Sequence, residues 1–83
     1  MDLQQVELHL RLARRHVAEA EERLGLQQAR VKSLNARDPT EDNLVTAVRL
    51  LHLYQKTVRV MRQHVATEEE LVAFLKRRIE RRQ

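Results

Sequence analysis

An apolar side chain recurs every seven residues along most of the chain, and this repeat leaves few folds open. From Leu3 it runs through Leu10, Val17, Leu24 and Val31, with a second series three residues on at Val6, Ala13, Ala20, Gln27 and Leu34. A 3-4 stagger of this kind keeps one seam of a helix turned toward a partner helix, as in coiled coils. The later half repeats the pattern with Leu44, Leu51, Val58, Val65, Val72 and Ile79, offset by Ala47, Tyr54, Met61, Glu68, Leu75 and Arg82. The fold class is therefore all-α. A β-sheet of this length needs several turns, and one glycine and one proline do not supply them.

The two halves meet at Asn35-Ala36-Arg37-Asp38-Pro39-Thr40-Glu41. Asp38 suits a helix cap, Pro39 the first helical position, and Glu41 completes a capping box. The reading is a single domain over 1–83. Its first helix spans about 3–35, a turn about 36–39, and a second helix about 39–82, with a basic tail at 76–83. A short connection between long helices makes them antiparallel neighbours, so the expected architecture is a two-helix coiled-coil hairpin. One register pairs nearly all the apolar positions: Leu3–Leu75, Val6–Val72, Leu10–Glu68, Ala13–Val65 and Val17–Met61, then Ala20–Val58, Leu24–Tyr54, Gln27–Leu51, Val31–Ala47 and Leu34–Leu44. The same register puts Pro39 at the tip. Thr67-Glu68-Glu69-Glu70 resembles a fresh helix start, yet the repeat crosses it, so one continuous helix is expected. Gly25 falls on the outer side of the first helix, where it marks a bend, a close contact or simple tolerance.

Charged residues make up 34% of the chain and aromatic residues 2%, as in long surface-exposed helices. At 83 residues in an extended shape, little interior remains for a catalytic cleft, and no enzyme is expected. The chain has no cysteine, which removes disulfides, thiolate metal sites and cysteine nucleophiles and suits a reducing cytoplasm. No signal peptide or membrane span is expected, because no long apolar run occurs. His9, His16, His52 and His64 form no close ligand pair along a helix, although the register lets His16 and His64 face each other across the seam. Neither a cofactor nor a metal is called for, and no small-molecule substrate is indicated.

Two features point to function. The second helix carries Leu50, Leu53, Val60, Leu71 and Phe74 beside its seam, more apolar surface than a two-helix contact needs, and Leu8, Leu12 and Leu26 add to it on the first helix. Covering this stripe calls for a homodimer forming a four-helix bundle, or for a helical protein partner. The expected function is thus a non-enzymatic protein–protein interaction or assembly module. The formal charge of +4 is concentrated in Lys76, Arg77, Arg78, Arg81 and Arg82, since acidic and basic groups balance over residues 1–70. This tail suits nucleic acid or an anionic membrane surface as an alternative, or simply complements the helix dipole. Phe74 is assigned to the apolar stripe rather than to the basic run.

The segments His16-Val17-Ala18-Glu19-Ala20-Glu21-Glu22-Arg23, Val31-Lys32-Ser33-Leu34, Pro39-Thr40-Glu41, Leu50-Leu51 and Met61-Arg62-Gln63-His64 carry a resemblance. Over roughly residues 9–75 the chain resembles a group of short uncharacterised alphaproteobacterial helical-hairpin proteins that have no assigned activity. The resemblance implies a hairpin and a bacterial cytoplasm, and it names no site. The architecture is also analogous to small hairpin co-chaperones of type III secretion, which implies a hairpin docking on a larger partner.

Overall fold

A computed structural model describes residues 2–37 and 42–82. It contains two helices, α1 (Leu3–Arg37) and α2 (Asp42–Arg82), packed antiparallel as a rod of 65 × 16 × 14 Å. No strand occurs among the described residues. Helix α2 is continuous through Thr67–Glu70. Helix α1 runs two residues past the expected end and takes in Ala36 and Arg37. Both are good helix formers, and Arg37 places a cation in the last turn, where it complements the helix dipole. The expected cap at Asp38, Pro39 and Glu41 lies outside the described residues.

The start of α1 is capped by two reciprocal side-chain bonds. The Gln5 amide donates to Asp2 Oδ1 at 2.8 Å, and the Asp2 amide donates to Gln5 Oε1 at 3.3 Å. This reciprocal pair is a capping box, and it satisfies two donors that a helix start otherwise leaves open.

Lettering each heptad from a to g, with Leu3 and Leu44 at a, puts the seam at the a and d positions of both helices. Val6 is fully buried and clusters with Leu10 and Val72, with Leu3, Val65 and Leu75 packed around them. Farther along, Ala20 and Val58 are buried, then Leu44 and Ala47 near the turn. This is the register implied by the repeat. Its one buried polar residue among those described, Gln27, donates from Nε2 to the Ala47 carbonyl at 2.9 Å. That bond spares the amide the cost of an unpaired buried donor and ties α1 to one place on α2.

The e positions on one flank of the seam form a ladder of ion pairs at seven-residue intervals. Lys76 Nζ lies 3.5 Å from Glu7 Oε1, Arg14 Nη2 lies 3.3 Å from Glu69 Oε1, and Arg62 Nη2 lies 2.9 Å from Glu21 Oε1. Each pair is solvent-exposed and contributes at most about 1 kcal/mol. Their order matters more than their strength. The signs alternate along each helix, so a slip of one heptad one way sets Glu7 against Glu69 and Arg14 against Arg62. A slip the other way sets Arg14 against Lys76 and Glu21 against Glu69. The apolar repeat alone would tolerate either slip, and the charges oppose both.

Gly25 sits within α1, and an added Cβ there would meet nothing within 4 Å. No close contact requires it. Gly25→Ala is expected to raise stability by about 1 kcal/mol, a gain of roughly 4–8 °C in melting temperature by circular dichroism. An unchanged melting temperature would mean that α1 gains nothing from reduced backbone freedom at this site. Arg62→Glu is expected to lower the melting temperature, and adding Glu21→Arg to recover most of the loss. A double variant no more stable than Arg62→Glu alone would remove the ladder as a determinant of register.

Candidate interaction face

The flank opposite the ion-pair ladder has a different chemistry. There the g and c positions of α2 carry a second 3-4 series: Leu50, Leu53, Thr57, Val60, His64, Thr67, Leu71 and Phe74. At 3.6 residues per turn this series is centred about a third of a turn from the seam, so the hairpin contact leaves it in water. The five apolar residues singled out from the sequence all lie here and are all exposed, Leu53 by 57%, Val60 by 56% and Phe74 by 48%. Val58, on the seam of the same helix, is buried.

The threonines extend the stripe. Thr57 Oγ1 donates to the Leu53 carbonyl at 2.9 Å, and Thr67 Oγ1 donates to the Gln63 carbonyl at 3.1 Å. Each hydroxyl is satisfied by its own helix, which lowers the desolvation cost of covering it with another apolar surface. A pattern of apolar residues alone leaves both of them out, because a threonine's hydroxyl is polar until its partner is known.

Between the two helices this flank opens into a groove of about 570 Å³ lined by His9, Leu12, Ala13, His16, Val60, Met61, His64 and Glu68. His16 and His64 therefore border one groove, as their register positions imply, and His9 joins them. His64 Nε2 lies 3.6 Å from Glu68 Oε1, one helical turn on, and Glu68 is largely covered by its neighbours. Glu68 thus occupies its seam layer with its carboxylate turned toward an imidazole at the edge. Among the described residues, no three or more His, Asp or Glu side chains gather so that they could hold a metal ion. His52 is exposed and lies apart from this groove.

The basic tail does not form a separate unit. Lys76 is the last rung of the ion-pair ladder, paired with Glu7. The guanidinium of Arg78 lies 5.9 Å from the centroid of the Phe74 ring, within cation–π range. The assignment of Phe74 to the stripe and not to the basic run is corrected here, because its ring serves both. The spacing of four residues on one helix brings them together. Arg77, Arg81 and Arg82 are exposed. No described helix is long and apolar enough to cross a membrane.

Compared with protein-family models, curated proteins and solved structures, the chain matches none of them.

Thr57→Val combined with Thr67→Val is expected to leave helical content unchanged, since a hydroxyl bonded back to its own turn adds nothing to a helix. A marked fall in the helical circular dichroism signal would show instead that these bonds hold α2 together.

Proposed function

We propose that this protein is a non-enzymatic assembly module that buries the stripe on α2 against further helices, closing a four-helix bundle. The observation that carries the reading is the second 3-4 series from Leu50 to Phe74, continuous over α2 and exposed by about half at its centre and end. Fully burying a Leu or Phe side chain is worth roughly 1.5–3 kcal/mol, so a few of these positions suffice to drive association. The surface area supports the same conclusion. The chain exposes 6792 Å². A globular monomer of 9.9 kDa exposes about 5,200 Å², so some ~1,600 Å² more is open than a compact fold would leave. The absence of cysteine suits work in a reducing cytoplasm.

A second reading uses the tail. Arg77, Arg81 and Arg82 present exposed cations at the end of α2, suited to a phosphate backbone or an anionic membrane surface. Such binding would weaken steeply with added salt, whereas association through the stripe would not.

Leu53→Glu combined with Val60→Glu is expected to abolish association while leaving the hairpin helical, because both side chains already face water in the hairpin. Light scattering over a range of concentrations would show the mass fall to that of a 9.9 kDa chain. An associated chain whose mass is unchanged by the two glutamates would remove the stripe as the contact surface.

A further inference from the structure

The stripe has an order that its exposure alone does not require. Read from Leu50 to Phe74 it runs Leu, Leu, Thr, Val, His, Thr, Leu, Phe, and the spacing alternates three and four residues throughout. Read backward, the classes nearly repeat: two bulky apolar residues at each end, a threonine inside them, and Val60 and His64 at the centre. Because reversal also preserves the alternation of three and four, the stripe can pair with an antiparallel copy of itself. Leu50 then meets Phe74, Leu53 meets Leu71, Thr57 meets Thr67 and Val60 meets His64, each contact made twice.

We infer that a second copy of this chain occupies the stripe, docked antiparallel about a two-fold axis that crosses α2 at the level of Arg62. This inference rests on the stripe being an assembly face and adds which partner covers it. Charge complementarity supports that partner. The f positions next to the stripe hold Lys56 and Glu70, and the two-fold brings Lys56 of each copy to within about 3 Å, along the helix axis, of the level of Glu70 of the other, an offset that long side chains span, with the two Gln63 side chains flanking the axis. Arg49 and Arg77 meet only at the solvent-exposed ends. A parallel copy would instead stack Lys56 on Lys56, Glu70 on Glu70 and His64 on His64. A slip of one heptad would set Leu50 and Leu53 against Thr67 and His64. The same rotation lays α1 over α1, so that Leu12, His16 and His64 of both copies converge at the centre of the bundle. The open surface is also sufficient: a stable interface covers about 800 Å² on each partner, well within the excess that this rod exposes.

The native chain contains no cysteine, so introduced thiols report on the arrangement without interference. Thr57→Cys and Thr67→Cys chains, one of them carrying a size tag, would be oxidised separately and as an equal mixture. The antiparallel two-fold predicts a mixed disulfide at least ~10-fold more abundant than either self-disulfide, because same-residue pairs lie about 15 Å apart along the bundle. In parallel, Lys56→Glu should weaken the dimer about tenfold in Kd, and Lys56→Glu with Glu70→Lys should restore it. A light-scattering mass that stays at 9.9 kDa at every concentration overturns the second copy as occupant. Self-disulfides in place of the mixed species overturn the antiparallel two-fold. In that case the assembly reading still stands if the Leu53 and Val60 glutamates dissociate the complex, and falls with the inference if they do not.

Discussion

Two helices that touch along one line can bury only the side chains on that line, and the rest of this structure follows from that limit. Each heptad offers the seam two positions, so Val6, Leu10, Val58 and Val72 leave water while apolar residues a third of a turn away do not. A chain of this size has no second layer to cover them. The seam therefore determines both how the hairpin holds together and what it leaves available. The apolar surplus on α2 is a consequence of geometry: any hairpin with more than one apolar stripe per helix must present the second one outward.

The two flanks of the seam divide their tasks. On the e side, Glu7, Arg14 and Glu21 meet Lys76, Glu69 and Arg62, and the alternating signs specify how α1 and α2 align. Gln27 adds a second constraint near the turn through the Ala47 carbonyl. Neither feature contributes much free energy, because the ion pairs are exposed and the amide bond replaces one to water. What they contribute is selection among registers that the apolar repeat treats as nearly equal. On the g side no such ladder occurs among the described residues. Histidines, short aliphatic side chains and threonines with internally bonded hydroxyls make a surface that asks little of whatever covers it.

Most of the fold was legible because a seven-residue repeat has one physical interpretation over this many turns. The seam and its pairing could be read directly from Leu3 to Leu34 and from Leu44 to Leu75, while Ile79 keeps the repeat but is exposed. The stripe residues Leu50, Leu53, Val60, Leu71 and Phe74 were visible for the same reason, since periodicity reports faces. Other features depend on side-chain reach and escaped. Asp2 and Gln5 spell a capping box, but polar residues at that spacing are common in this chain, and only the reciprocal bonds single this pair out. The ion-pair ladder is present as charges seven residues apart on each helix, but in a chain with 34% charged residues only the packed geometry shows which of them meet. Thr57 and Thr67 look polar in a sequence, and only their bonds to Leu53 and Gln63 reveal that the hydroxyls are occupied. The contact between Arg78 and Phe74 joins two segments that composition had separated.

The opposition of the flanks has a consequence for how this rod senses its surroundings. Added salt shortens the Debye length and weakens the Glu7–Lys76, Arg14–Glu69 and Glu21–Arg62 rungs, loosening discrimination between alignments. Ions of the excluded kind, such as sulfate, also raise the cost of leaving the exposed stripe in water. Internal alignment and apolar exposure are thus both disfavoured by one variable. In such a salt the rod holds its register less strictly while its uncovered flank becomes costlier to leave open.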